Sequence, residues 1–379
     1  MSKIPPAKEI LFIIPSMRGG GAERVLLNLC KGLDKRRFRI TIAVLDFKGD
    51  LWNNIPGHVK KIHLKVPNIF SKLGRLLYRK LGCKLLLRFQ AARLREEFDV
   101  VFSFIDSPYT EVMYYLKYKP RKKYLVVHSS YISYSDRNSL ITSAQQKRML
   151  LRYNKADGIV FVSNESMQQF KLLFPTRTKC MVIYNPLDIK DILVKADKGE
   201  NNMQNEVFTF LSIGSLIPVK NFTALIQAAS IVKKSNQEFK VVILGKGALE
   251  ADLRKEISVL DLEDYVELRG FVSNPYPLMK HADALVISSL SEGLPTVMCE
   301  AMILGKPIIA PDISGCREVS NEGQYSVQYD GTTYKNLAQE MLLMMQNPTL
   351  VKSYARLAKK RAEIFDDGKA ISMYEQLMD

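Results

Sequence analysis

The strongest constraint on this chain is the order of the pieces near its start. Glu9 to Pro15 is a continuous apolar run, as a strand buried on both faces requires. It breaks at Ser16 into Gly19-Gly20-Gly21, and from Ala22 to Leu33 the residues Val25, Leu26, Leu29 and Leu33 recur at helical spacing. A second apolar run, Arg39–Leu45, follows. Strand, glycine loop, helix and strand in that order predict a parallel sheet, because a crossover helix carries the chain back to the edge it started from.

The rhythm continues through predicted strands at Val100–Phe104, Lys123–Val127, Gly158–Val162 and Lys179–Tyr184, and stops at Asn185-Pro186. A polar, turn-rich stretch ending at Glu206 follows. Strands are predicted again at Phe208–Ile213, Lys240–Leu244, Val266–Leu268, Ala284–Ile287 and Pro307–Ala310, with helices at Phe222–Ser235, Leu249–Leu260, Thr296–Leu304 and Thr333–Met345. With 379 residues the chain suits two domains. The expectation is α/β: two doubly wound, Rossmann-like domains facing one another across a cleft, with ligands at the carboxyl ends of the strands. The domains are read as 1–190 and 207–355, joined by a linker at 191–206, with a helical end at 356–379 that can pack back on the first domain.

Charge separates the halves. Residues 1–190 hold 35 Lys and Arg against 14 Asp and Glu, and the remainder holds 20 against 25. A basic first half points to an anionic partner, nucleic acid or anionic lipid. Between Phe70 and Arg95 there are eight cationic residues and no acid, with Leu73, Leu76, Leu77, Leu85, Leu86 and Phe89 interleaved. This reads as a basic amphipathic helix for a lipid surface, or as a solvated helix whose leucines pack on the sheet. Lys117–Lys123 adds a second basic cluster. No apolar stretch approaches the length of a membrane span, and Gly19 to Glu23 stand where a signal peptide would have its cleavage site. The five cysteines, at 30, 83, 180, 299 and 316, form no CxxC pair. Together these features predict a cytoplasmic protein with at most peripheral membrane contact.

Four segments carry candidate chemistry. Gly20 and Gly21 precede a helix, where backbone amides and the helix dipole can hold an anion, although a tight turn without a ligand would look the same. The loop is not GxGxxG and no Walker lysine follows. Gly214 begins a segment ending in Lys220-Asn221 at a second strand end, where a lysine at a helix start suits a pyrophosphate and could equally be a surface lysine. Gly245-Lys246-Gly247 follows another strand. The most informative segment runs from Ser288 to Ala301. There Pro295 is read as the first helical residue, amides around Leu294 to Val297 form a second anion seat, and Glu292 and Glu300 are two carboxylates with seven residues between them. A carboxylate on a buried helix face is costly without a polar partner, so Glu300 is read as a ligand contact, suited to two hydroxyls of a ribose. No DxD triplet is present to hold Mg²⁺ on a diphosphate.

Taken in order, Gly19–Arg24, His128, Gly214 to Asn221, Gly245-Lys246-Gly247, Gly270, Glu292 and Glu300, Gly305-x-Pro307 and Asp312-x-x-Gly315-x-x-Glu318 make the chain resemble the retaining glycosyltransferases of family 4, which have the two-domain GT-B fold. The resemblance implies a transferase that needs no metal or other cofactor and retains anomeric configuration. It implies that the Gly20 and Gly21 amides, with Lys220, hold the donor diphosphate, that Gly214 and Gly245 belong to the donor site, and that Glu300 binds the ribose. Gly270 to Val272 would line the nucleobase. Glu292 and the amides of Gly293 and Leu294 would hold the transferred sugar, with Pro295 and Thr296 beside them in the donor site, and His128 would contact the sugar. It further implies a UDP-sugar donor, a lipid-linked saccharide acceptor in surface polysaccharide assembly, and a site of action at the inner membrane face. Two departures stand out: Ser215 occupies a position where the family commonly has arginine, and the segment after Glu318 lacks the usual second glycine. An epimerase or a non-catalytic nucleotide-sugar-binding subunit would share the architecture. A nucleic-acid binder would explain the charge, yet no zinc spacing or RNP-type aromatic motif accompanies it.

Overall fold

The computed structural model describes residues 6–66, 72–74, 76–78, 82–130, 143–198, 207–235, 237–331, 333–365 and 367–379. The chain divides into two compact units: Met1–His128, Ser139–Pro186 and Asp367–Asp379 form the first, and Ser129–Asn138 with Leu187–Asp366 form the second.

Unit 1 is built on seven strands: β1 (Lys8–Ser16), β2 (Phe38–Phe47), β3 (Lys60–His63), β4 (Val100–Ser103), β5 (Lys122–Val127), β6 (Gly158–Phe161) and β7 (Cys180–Val182). Their order is β3-β2-β1-β4-β5-β6-β7, and every pair is parallel. The apolar run at the start of the chain is the centre of this sheet. Ile10 to Ile14 are buried on both faces, with Phe12 opposite Ile42 on one side and Phe102 on the other. The order reverses between β1 and β4, so the loops leaving those two strands diverge.

The chain's last helix, Asp367–Met378, completes this core. Ala370, Tyr374 and Met378 are buried in it, and the Tyr374 ring lies edge-on to Phe102 at 5.9 Å. Arg37 reaches Glu375 at 2.8 Å and Asp379 at 2.6 Å, but the Arg37 side chain is 45% exposed, and exposed pairs of this kind contribute little. The buried aromatic contact is the stronger tie.

Unit 2 repeats the plan with β8 (Phe208–Ile213), β9 (Phe239–Leu244), β10 (Val266–Gly270), β11 (Ala284–Val286), β12 (Ile308–Pro311) and β13 (Val327–Tyr329). The order is β10-β9-β8-β11-β12-β13, again all parallel, and it reverses between β8 and β11. One face packs against the helices Phe222–Lys233 and Tyr334–Gln346, the other against Thr296–Ile303.

The α/β architecture agrees with the sequence reading, with several local differences. Strands β3 and β13 carried no predictive signal: β3 is the edge strand KKIH with two exposed lysines, and β13 is a three-residue edge strand. The start of the expected linker is helical, since Ile189–Asp197 buries Ile192 and Ala196 in the core of unit 2. Residues 199–206 lie outside the described residues. The expected helical end divides at Asp366: Pro348–Ala362 belongs to unit 2, and only Asp367–Asp379 belongs to unit 1.

The basic segment is not one helix from Phe70 to Arg95. Residues 72–74 and 76–78 are helical, Gly82 adopts φ +68°, and a separate helix spans Leu85–Ala92. Glycine tolerates that left-handed backbone, which ends one helical stretch before the next begins. Arg75, Arg79 and Lys80 lie outside the described residues. The Lys117–Lys123 cluster sits at the amino end of β5, away from the carboxyl edge, and Lys123 pairs with Asp157 at 3.1 Å. Among the described residues no helix is long and apolar enough to cross a membrane.

If Tyr374 ties the terminal helix to the first sheet, Tyr374→Ala will lower the stability of unit 1 by about 3–5 kcal/mol. Urea unfolding followed by hydrogen exchange should show the loss in β1 and β4, with unit 2 unaffected.

Candidate functional site

In unit 2 the candidate residues gather at the carboxyl ends of the strands. Gly214, Gly245 and Gly270 end the neighbouring strands β8, β9 and β10, laced by Gly214 N–H to the Leu244 carbonyl at 2.9 Å and Gly245 N–H to the Gly270 carbonyl at 2.8 Å. A Cβ at Gly245 would collide with the Gly214 carbonyl, so this close approach excludes every other residue. Val272 follows Gly270, half-buried at the edge of the core.

At the reversal between β8 and β11 the two chain segments meet. The Lys220 ammonium lies 2.5 Å from Glu292 Oε1, and the same oxygen accepts from the Ser289 hydroxyl at 2.6 Å. The backbones are tied as well: Ser288 Oγ donates to the Lys220 carbonyl at 2.8 Å, and Leu290 N–H to the Val219 carbonyl at 2.8 Å. Gly315 approaches so closely that a Cβ there would stand 2.7 Å from the Glu292 carbonyl. This packing explains the glycine in the Asp312-x-x-Gly315 motif. Lys220 and Glu292 are 25% and 12% exposed at the side chain, so solvent and ligands can reach them.

The amides of the next helix are also available. Pro295 occupies the cap position with extended backbone, one residue earlier than its predicted place, and the helix runs Thr296–Ile303. Among the described residues no side chain caps it, nor the helix Phe222–Lys233 that follows Asn221. A helix start with uncapped amides is a ready anion seat. Gly293 is buried and Leu294 half-buried just before it. Glu300 is buried on this helix, and the Tyr276 hydroxyl donates to its Oε1 at 3.1 Å. Lys246 rests over the Phe271 ring at 5.3 Å, and Ser215 is exposed beside Gly214.

Unit 1 presents its own candidates at the carboxyl edge of its sheet. Gly20 caps the helix Gly21–Gly32, again with no side-chain cap among the described residues. Glu23, 7% exposed in the first turn, folds back to accept from Ser16 Oγ at 3.4 Å, and burial raises its pKa above the ordinary carboxylate range. His128 follows β5 with its ring 5.1 Å from Phe104. Part of the residue surface is exposed, but Nε2 is shielded and has no hydrogen-bond partner among the described residues. Desolvation lowers its pKa from 6.5 to about 4, opposed by a hydrogen bond to the Phe104 backbone, so the ring is neutral near pH 7.

Sequence reasoning missed Ser288, Ser289 and Tyr276. The serines stood within a recognised motif, but hydroxyl partners in a loop have no periodicity to reveal them. Tyr276 is 24 residues from Glu300 and becomes its neighbour only through the sheet order.

Two family models match the chain: Glycosyltransferase Family 4 over residues 19–191, and Glycosyl transferases group 1 over residues 194–363. An N-acetylgalactosamine-N,N'-diacetylbacillosaminyl-diphospho-undecaprenol 4-alpha-N-acetylgalactosaminyltransferase of Campylobacter jejuni is 27% identical, covering 94% of this chain and 96% of that protein. Among solved structures, a mutant of S. aureus TarM in complex with fondaparinux, alpha-GlcNAc-glycerol and UDP superposes with a TM-score of 0.78. It is 15% identical, with 98% of this chain and 100% of that chain covered. Anabaena HepE in complex with UDP and glucose gives 0.73 at 19% identity, covering 98% of this chain and 99% of that one.

The neutral state of His128 sets a pH dependence. The unfolded chain takes up a proton near pH 6.5 while the folded ring resists until about 4. The stability tied to this ring is therefore complete above 6.5 and lost as pH falls through 4. Urea denaturation of the protein and of His128→Asn at pH 7.5 and 4.5 should show the smaller acid loss in the variant; equal losses would mean the ring is protonated in the folded state.

Proposed function

The chain belongs to the glycosyltransferases that join a Family 4 domain to a group 1 domain in the GT-B fold, and we propose that its donor is a nucleotide-sugar, a UDP-sugar above all. The sugar passes to a hydroxyl of a lipid-diphosphate-linked saccharide in the assembly of a bacterial surface polysaccharide or glycan, at the cytoplasmic face of the membrane. The observation that carries this reading is the Lys220–Glu292 pair at the β8/β11 reversal, beside an uncapped helix start and the buried Glu300. UDP in the two solved neighbours supports the donor class, and the diphospho-undecaprenol substrate in the relative's name supports the acceptor class.

In this reading Lys220 and the amides of Thr296 and Val297 receive the charge that develops on the departing diphosphate, the main electrostatic task of the reaction. Glu292, Gly293 and Leu294 hold the transferred sugar, and Glu300 takes the ribose hydroxyls. In unit 1, the Gly20 and Gly21 amides at an uncapped helix start suit an anion, and the neutral ring of His128 suits a sugar hydroxyl. The bond from the anomeric carbon to the diphosphate oxygen breaks, and the acceptor oxygen bonds to that carbon on the face just vacated. The acceptor proton passes to the leaving phosphate, so configuration is retained and the proton balance closes without a bound metal.

The acceptor brings the enzyme to a membrane. The helix Leu85–Ala92 buries Leu87, Gln90 and Ala91 but leaves Leu85 71% and Phe89 57% exposed, one turn apart on the same face. Leu73 and Leu76 are also exposed. With Arg88 and Lys72 beside them in sequence, these side chains suit an anionic lipid surface better than open water.

Two measurements test the reading. UDP, without metal, should raise the melting temperature more than GDP does, and Glu300→Ala should abolish the rise; Lys220→Ala should lower kcat about 10²- to 10³-fold. No shift from any nucleotide, or unchanged turnover in the lysine variant, would overturn the donor site. For the membrane surface, the Leu85→Glu and Phe89→Glu double variant should stay in the aqueous fraction when the protein floats with anionic vesicles. Flotation equal to that of the unaltered protein would remove this helix from the surface.

A further inference from the structure

Glu300 is the single charged residue of the helix Thr296–Ile303, whose residues Met298, Cys299, Ala301 and Met302 are essentially inaccessible. A carboxylate in such surroundings is tolerable only when hydrogen-bonded, and its orientation then follows its partners. One partner is Tyr276, itself 8% exposed, whose hydroxyl donates to Oε1 at 3.1 Å. Tyr276 is fixed in turn. It opens the helix Tyr276–His281, and its backbone N–H points to Asn274 Oδ1 at 3.4 Å. The Asn274 amide donates to the Lys195 carbonyl at 3.0 Å and the Lys198 carbonyl at 3.3 Å, both at the end of the helix Ile189–Asp197. A continuous set of contacts thus runs from that helix through Asn274, in the turn that follows Gly270 and Val272, and Tyr276 to the carboxylate of Glu300.

We infer that Tyr276 is a positioning residue that sets the orientation of Glu300 and so makes donor recognition depend on the ribose hydroxyls. This rests on the donor-site reading above and deepens it. A vicinal diol donates two hydrogen bonds to a carboxylate only when the carboxylate plane faces it; rotated away, the carboxylate keeps one bond or none. Tyr276 holds one oxygen and limits that rotation, so the preference for a ribonucleotide over its deoxy counterpart depends on a residue that touches no ribose. Because Tyr276 follows directly from the turn assigned to the nucleobase, base and ribose recognition share one anchor.

The test compares the affinities of UDP and 2′,3′-dideoxy-UDP for the protein, Tyr276→Phe and Glu300→Gln by calorimetry. Tyr276→Phe should weaken UDP about tenfold, as expected for loss of a hydrogen bond to a charged group, and leave the dideoxy nucleotide unchanged. Unchanged dideoxy binding also shows that the variant is folded. Equal weakening of both nucleotides would make Tyr276 a general support of the pocket and overturn the inference, as would UDP binding indifferent to the change while Glu300→Gln impairs it. If Glu300→Gln binds UDP as tightly as the unaltered protein, the ribose site itself is wrong and the donor reading falls with the inference.

Discussion

Parallel pairing is the constraint on which the rest of this molecule depends. Every strand in both sheets runs the same way as its neighbours, so within each sheet all carboxyl ends share one edge. Where the order reverses, at β1/β4 and β8/β11, the two outgoing loops must turn in opposite directions, which opens a crevice at that edge of each sheet. Those edges are where the glycines, the uncapped helix starts and the charged side chains of the candidate sites occur. The glycines follow from the same geometry: strands ending side by side bring Gly214 and Gly245 closer than a Cβ would permit.

The two acidic residues of unit 2 meet this edge under different physical conditions. Glu292 is partly exposed and has a counter-ion in Lys220, so in the structure each charge neutralises the other. In the proposed reading an incoming diphosphate replaces the carboxylate as the counter-ion of the lysine, so the ammonium keeps a partner while the carboxylate is freed for a sugar. Glu300 has no such latitude. It is buried on an apolar helix and depends on directed hydrogen bonds, which confer rigidity where Glu292 has exchange.

Much of this was legible in the sequence because burial on both sheet faces writes itself as uninterrupted apolar runs. Eleven of the thirteen strands among the described residues announced themselves in the sequence, and Glu300 was conspicuous as a carboxylate amid apolar neighbours. Edge strands β3 and β13 did not, since an edge strand has little to bury. The long basic segment misled for a related reason. Its leucines and cations fit one helix in composition, but Gly82 ends the first stretch through its backbone, which composition does not record. Tyr276 was invisible on different grounds: its role depends on contact with a residue brought close by sheet order. Periodicity reports what a residue does for its own element; it says nothing about a hydroxyl that serves another.

The asymmetry of charge and the exposed apolar pair have to be explained together. A basic surface alone would bind any polyanion, and exposed leucines alone would be an aggregation hazard. On the helix Leu85–Ala92 they occur within one turn, with Leu87 and Ala91 turned inward to fix the helix on unit 1. A rigid anchor, an outward apolar pair and adjacent cations meet the requirements of an interfacial lipid layer, where each Lys or Arg contributes about 1 kcal/mol and the apolar side chains supply the remainder. Nucleic acid would satisfy the cations and leave Leu85 and Phe89 in water. In the proposed reading it is this apolar pair that favours a lipid surface, because charge by itself leaves the two anionic partners equivalent.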